Sequence, residues 1–188
     1  KSLMDKFHTD FGAEGFTLEK ALSKKEYAIH FLKWISSSSS IMEGSRYTLS
    51  DCLSKPKAHI LMFVPHLKEA NAAYQALEQL SKDSDSGFYG FKIKQISGET
   101  DTDDDFIPVM GKSDEDTLNA FLESDNRTLI ISVGKATTGV TLGTLDTVLM
   151  MTSVKSAELF MQETTRPLSI YPGKTDATVY LFDTEAAI

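Results

Sequence analysis

Short apolar runs that alternate with amphipathic segments constrain the fold of this chain most strongly. Ile60 to Val64, Thr128 to Val133 and Thr147 to Met151 are brief and almost wholly apolar. Such runs are typical of central strands that are covered on both faces. The first run is followed by apolar residues at helical spacing, namely Leu67, Ala70, Tyr74, Leu77 and Leu80. Strands that alternate with helices predict right-handed crossovers and a three-layer α/β domain with a mostly parallel sheet.

Weaker patterns complete this alternation. Phe91 to Ile96 alternates as a half-covered strand does, and Val179 to Phe182 supplies a last strand. A helix is predicted to start at Ser113, and another to run from Ser156 to about Thr165. Ligand loops of such sheets gather at the carboxyl ends of the strands, where Ser97, Pro65 and the loop from Gly134 are expected to converge.

A helical extension is predicted before the alternating part. One helix is expected from Thr17, because several apolar residues fall on one helical face, namely Leu18, Ala21, Leu22, Ile29 and Leu32. The serine run Ser36 to Ser40 is expected to stop this helix as a flexible loop. Thr48 to Leu53 fits a short helical turn. We therefore predict an extension and connector over residues 1–56 and one domain over residues 57–188.

Charge and cysteine content limit the surroundings of the chain. The net charge of −8 argues against a surface that binds nucleic acid all over, but it permits a local basic groove. Cys52 is a single cysteine and cannot form an internal disulfide, which favours a cytoplasmic location. No apolar run approaches ~20 residues, so no membrane contact is expected. The chain begins at Lys1 without a methionine, which favours a fragment of a longer protein.

The stretch from Gly134 to Ser169 has the composition of an anion site. It combines a Gly- and Thr-rich loop, a strand and an amphipathic helix. Glycine lets a backbone approach a ligand closely, and hydroxyl and amide groups can hold a phosphate. Gln162 and Arg166 are four residues apart and so share one face of the predicted helix. A loop of backbone donors followed by an arginine suits a phosphate chain.

Four motifs in this order resemble the second RecA-like domain of superfamily 2 helicases and translocases. The resemblance is strongest to the helicase parts of type I and type III restriction systems and their phage or mobile-element relatives, and it covers Lys57 to Asp183. The matching stretches are His59 to Pro65 for motif IV, Ile96 to Gly98 for the short motif after the next strand, Thr137 to Leu142 before Leu145 to Val148 for motif V, and Gln162 to Arg166 for motif VI. Four weak motifs in the correct order form a more specific signal than any one of them.

The resemblance implies a role for each matching residue. Arg166 would reach the γ-phosphate of ATP across a cleft, and Gln162 would bond the same phosphate or the motif V backbone. Gly139 and Thr141 would lie beside the nucleotide, although Thr141 stands where many relatives have an aspartate. Contacts to the DNA backbone are expected from Ser97, Gly98, Lys135, Thr137 and Thr138.

The resemblance also implies that ATP and Mg²⁺ bind only in the full-length polypeptide, together with an upstream RecA-like domain. Gly111 to Ser113 and Gly173 to Thr175 each imitate the end of a P-loop. Both lack the required first glycine, because Phe106 and Leu168 occupy that position. No cofactor is therefore expected on this chain alone. No metal site is expected either, since the acidic residues from Asp101 lack the spacing of a calcium loop.

Simpler readings of these residues stay open. Arg166 could pair with its helix dipole or with Glu163, and Gln162 could be a polar residue on the solvated side. Lys135 could be a solvated lysine, and the Gly/Thr loop and Ser97 could be ordinary turns. Ser169 stands where many superfamily 2 members have a second arginine, which departs from the pattern.

Three function classes are consistent with this sequence. The first is the C-terminal motor domain of an ATP-dependent DNA helicase or translocase linked to restriction or phage defence. The second is a non-catalytic helicase-like module that binds nucleic acid or protein. The third is the sugar-nucleotide-binding half of a glycosyltransferase, which the lack of a paired-glutamate motif disfavours. A P-loop and an acidic motif upstream of Lys1 would distinguish the motor from the module.

Overall fold

The computed structural model describes residues 17–37, 48–97, 112–123, 125–133, 142–152 and 164–182. Within these ranges the strands are β1 His59–Val64, β2 Lys92–Ser97, β3 Thr128–Val133, β4 Thr147–Met150 and β5 Thr178–Leu181. They form one sheet in the order β2-β3-β1-β4-β5, and all four pairings are parallel. The predicted α/β class with a parallel central sheet is confirmed.

The register of the central strands makes their carboxyl ends level. Val64 of β1 pairs with Val133 of β3, and Val133 pairs with Ser97 of β2. Because successive Cα positions match without a shift, these three strands end at one line across the sheet. The chain positions that follow them therefore leave from the same edge, as the alternation predicts.

Helices cover both faces of the sheet. They are α1 Leu18–Ala21, α2 Lys25–Ser37, α3 Leu49–Leu53, α4 Leu67–Leu80 and α5 Lys112–Glu123, with a 3-10 helix at Arg166–Leu168. One core lies under α2 and α4 and joins Phe31 and Leu77 to Ile60 of β1. The other core joins Leu118 of α5 to Phe63. The three-layer architecture follows from this alternation of side chains along β1.

The N-terminal helices share the first of these cores. Phe31 of α2 meets the ring of Phe182 edge-on, with 6.1 Å between centroids. The short turn predicted over Thr48 to Leu53 is helical, and Thr48 and Asp51 form a capping box at its start. The division of the chain at residue 57 stays a prediction.

The single helix predicted from Thr17 is wrong, because the chain breaks between α1 and α2. The hydroxyl of Ser23 donates to the carbonyl of Lys20 at 2.8 Å. A serine side chain that bonds nearby backbone competes with the helical ladder, and α1 ends at Ala21. The carbonyl of Lys24 then accepts from the amide of Ala28 at 2.9 Å, in the first turn of α2.

The serine run is also less loop-like than predicted. α2 continues through Ser36 and Ser37, and Ser36 is only 3% exposed. Its hydroxyl donates to the carbonyl of Lys33 at 2.9 Å, which satisfies the buried group. A Cβ placed on Gly87 would lie 2.8 Å from the Cβ of Ser36. Two small residues are needed where these segments touch. Residues 38–40 lie outside the described residues.

Candidate functional site

Two of the nine predicted site residues fall within the described ranges, and the structure describes the backbone of both. Ser97 is the last residue of β2, and Arg166 is the first residue of the 3-10 helix. The others lie outside the described residues, namely Gly98, Lys135, Thr137, Thr138, Gly139, Thr141 and Gln162. Their roles stay predictions.

Ser97 lies at the level carboxyl edge of the sheet. Its register partner is Val133, directly before the loop that starts at Gly134. Val64, directly before Pro65, pairs with the other side of Val133. Three sequence motifs therefore leave the sheet from adjacent strands at one edge. Loops gathered in this way can present backbone donors and hydroxyl groups to one ligand.

Arg166 lies in a 3-10 helix and not in an α-helix. Thr165 caps a 3-10 helix, and the amide of Leu168 donates to the carbonyl of Thr165 at 2.9 Å. Pro167 explains the change, because it has no amide hydrogen and disfavours the α conformation of the residue before it. The helix predicted from Ser156 to about Thr165 lies mostly outside the described residues.

The chain after Arg166 is tied to the amino edge of the sheet. The ammonium of Lys174 donates to the carbonyl of Ser169 at 2.6 Å and to that of Gly143 at 3.1 Å. Gly143 precedes the first residue of β4 by four positions. Three residues span at most about 11 Å, so the backbone of Arg166 is close to this anchored segment.

A cavity of about 570 Å³ opens at this amino edge, between the first residues of β1, β4 and β5. Three lysines line it, namely Lys55, Lys57 and Lys174, together with three acids, namely Glu123, Asp146 and Asp176. The charges therefore balance, whereas a phosphate site needs an excess of positive charge. Lys55 and Asp176 already pair with each other at 2.6 Å. This cavity is not suited to a nucleotide.

Burial shapes the ionisation of this edge. It raises the pKa of Asp146, although the hydroxyl of Thr147 donates to its carboxylate at 2.7 Å. Burial also lowers the pKa of His59, and the charge of Lys57 adds to the effect. For Lys55, burial works against the charge, but the bond to Asp176 and the nearby carboxylates outweigh it and raise the pKa. The cluster therefore favours internal pairing over ligand binding.

Within the described ranges, two buried polar atoms near the carboxyl edge have no hydrogen-bond partner. One is Oε2 of Glu69 in the first turn of α4, a residue that is 6% exposed. The other is the hydroxyl of Ser132, which pairs in register with Phe63 and Ile96. The sequence analysis predicted a buried face of α4 that contains Leu67 and Tyr74 and omits Glu69. In the structure, Leu67 and Tyr74 are half-exposed and Glu69 is buried. The spacing of Glu69, Ala73, Ala76 and Leu80 gives the buried face.

The described ranges contain neither a metal-ligand cluster nor a helix that could span a membrane. Among those residues, no three His, Cys, Asp or Glu side chains are grouped so that they could hold a metal ion. No helix in the same ranges has the length and apolar character needed to cross a membrane.

Comparisons with known proteins assign no family to this chain. No family model matches the chain, and no curated protein matches it. Among solved structures, the chain is similar to the C-terminal part of the Fun30 ATPase domain, with 17% sequence identity and a TM-score of 0.44. The match covers 64% of this chain and 33% of that one, so the chain spans about a third of the Fun30 chain.

Proposed function

We propose that this chain is the C-terminal motor domain of an ATP-dependent DNA helicase or translocase. An upstream RecA-like domain of the same polypeptide would complete its nucleotide site. The observation that carries the proposal is the level carboxyl edge of β1, β2 and β3, from which three of the four helicase-like motifs leave. The order of those motifs along the sequence supports it independently.

The carboxyl edge is the proposed contact with DNA. Ser97, Gly98, Lys135, Thr137 and Thr138 would bind the phosphates of one strand through hydroxyl, amide and ammonium groups. Phosphate contacts of this kind set position without reading sequence, as a translocating motor requires. The net charge of −8 argues against binding over the whole surface and is consistent with binding at one edge.

The proposed contact with the nucleotide is made by the remaining residues of motif V and by motif VI. ATP, bound together with Mg²⁺ by the upstream domain, would supply the phosphoryl group that is transferred to water. Gly139 and Thr141 would line the nucleotide, and Gln162 and Arg166 would bind the oxygens of its terminal phosphate. The planar guanidinium of Arg166 would then neutralise charge that spreads over those oxygens as the bond breaks.

Steady-state ATP hydrolysis tests the proposal. The 188-residue chain alone is expected to hydrolyse ATP at the buffer rate, because its sequence carries no P-loop. The longer polypeptide is expected to hydrolyse ATP faster when single-stranded DNA is added. Hydrolysis by the isolated chain, or a longer polypeptide that does not respond to DNA, would contradict it. Association with a restriction or phage-defence system in the cytoplasm belongs to the same proposal.

One departure favours a second candidate, a non-catalytic module that binds nucleic acid or protein. Ser169 stands where many superfamily 2 members have a second arginine. DNA binding by the longer polypeptide without any ATP hydrolysis would support the module, whereas DNA-stimulated hydrolysis would exclude it.

A further inference from the structure

The turn that ends in Lys174 folds this lysine back onto the chain. The amide of Lys174 donates to the carbonyl of Tyr171 at 3.1 Å, which closes a four-residue turn. Pro172 is at its second position, and Gly173 is at its third position with φ of +84°. A proline followed by a residue with positive φ is typical of a type II turn. The turn thus gives the lysine side chain a defined starting direction.

The ammonium of Lys174 joins two segments that are far apart in sequence. It donates to the carbonyl of Ser169 at 2.6 Å and to the carbonyl of Gly143 at 3.1 Å. Bonds from a charged donor are shorter and stronger than bonds between neutral groups. The side chain is half-buried, and burial lowers its pKa while the charge of Asp146 acts in the opposite sense. The side chain of Lys174 is therefore held by the fold and does not extend freely into solvent.

Two further contacts hold the same segment. The ring of Tyr171 packs on Gly143 so closely that an added Cβ would lie 2.9 Å from its Cδ2 atom. Downstream, Asp176 pairs with Lys55 at 2.6 Å. The segment from Ser169 to Asp176 is thus fastened to the turn before β4 and to the connector before β1.

Beyond Pro167, which is buried, the residues that follow Arg166 have little burial of their own. Leu168 is 64% exposed and Ile170 is 100% exposed. Only one helical turn, closed by the bond from Leu168 to Thr165, separates Arg166 from Ser169. Exposed backbone of this kind opens easily unless a neighbouring anchor restrains it. On the C-terminal side of Arg166, Pro167 is buried, and the next restraint is the carbonyl of Ser169, which accepts from Lys174.

We infer that Lys174 is a positioning residue for Arg166, acting through its two bonds to Ser169 and Gly143. The inference rests on the proposed function, in which Arg166 contacts the terminal phosphate. Misplacement of a catalytic group by about 1 Å can cost on the order of a hundredfold in rate. Lys174 would then act on the rate of hydrolysis without touching the nucleotide.

Hydrogen exchange on the 188-residue chain tests the clamp itself. In Lys174→Met, the amides of residues 164–170 are expected to exchange faster than in the wild type, while those of β1 and β3 stay unchanged. Lys174→Arg keeps the charge and the donors and is expected to exchange like the wild type. Lys82→Met is the control, because Lys82 pairs with Glu78 on an exposed helix elsewhere. Unchanged exchange in Lys174→Met would overturn the inference.

Kinetics of the longer polypeptide test the link to Arg166. Lys174→Met is expected to lower kcat for DNA-stimulated ATP hydrolysis about tenfold or more, with KM for ATP little changed. Lys174→Arg is expected to restore most of the rate. Added to Arg166→Ala, Lys174→Met is expected to cause no further loss, because both changes disable one group.

The outcomes separate the two proposals. A full additional loss in the double variant, or a normal kcat in Lys174→Met beside an impaired Arg166→Ala, would overturn the inference and leave the proposed function standing. A normal kcat in Arg166→Ala would remove the proposed role of Arg166 and the inference with it, whatever the exchange experiment shows.

Discussion

Replacing Ser132 by alanine is predicted to stabilise this chain. Ser132 is fully buried between Phe63 and Ile96 in the register, and its hydroxyl has no hydrogen-bond partner. An unpartnered buried hydroxyl costs about 1–3 kcal/mol. Alanine removes this cost and leaves a gap of one oxygen atom, which offsets part of the gain. We therefore expect the free energy of unfolding to rise by about 1 kcal/mol.

Thr128→Val provides a matched control on the same strand. Its hydroxyl and Nδ1 of His59 are 2.7 Å apart, and both residues are buried. Valine keeps the shape but leaves the imidazole nitrogen without its partner, which is expected to cost about 1–3 kcal/mol.

Urea unfolding measures both changes. If both variants keep the wild-type dependence on urea, the midpoints report stability directly. For a chain of this size, a gain of 1 kcal/mol corresponds to a rise in Tm of about 2–4 °C. Loss of stability in Ser132→Ala comparable to that in Thr128→Val would refute the reasoning, because it would show that the hydroxyl of Ser132 has a partner.

Two further substitutions test the packing and the charge of the domain. Burial raises the pKa of Asp146 above its usual 3.8, because it disfavours the charged carboxylate. The contribution of Asp146 to stability is therefore fully present below pH 3.8 and is lost as the pH rises through the pKa that Asp146 has in the folded chain. Asp146→Asn is therefore expected to raise the free energy of unfolding at neutral pH and to change it little near pH 4, and equal effects at both pH values would contradict this. Gly87→Ala is expected to destabilise the chain by about 1–3 kcal/mol, because the new methyl group would lie 2.8 Å from the Cβ of Ser36. Thermal unfolding checks it, and an unchanged Tm would show that the contact relaxes.

The sheet was predictable because its central strands are short, almost wholly apolar runs in the sequence. Ile60 to Val64, Thr128 to Val133 and Thr147 to Met151 are apolar on both sides, and only a central parallel strand buries such runs. The break at Ser23 was not predictable from apolar spacing, because it depends on one side chain bonding to the backbone. Glu69 was missed because a charged residue is not expected on the buried face of a helix.

The site was predictable only in part. The position of Ser97 at a strand end follows from the alternating pattern of its strand. Lys174 lies in a segment that imitates the end of a P-loop, and this pattern does not predict its contacts. Its two carbonyl partners are 5 and 31 residues away in sequence. The pair formed by Lys55 and Asp176 spans 121 residues. The contacts that span 31 and 121 residues depend on tertiary structure, and no local sequence pattern predicts them.

Arg166→Ala in the longer polypeptide tests the central claim most directly. The readout is kcat for ATP hydrolysis stimulated by single-stranded DNA, with Lys82→Ala as a control at an exposed lysine just after α4. If Arg166 completes a nucleotide site between two domains, kcat is expected to fall by roughly a thousandfold or more, as for other arginine fingers. The thermal unfolding of the variant is expected to match the wild type. A kcat within about twofold of the wild type would contradict the account.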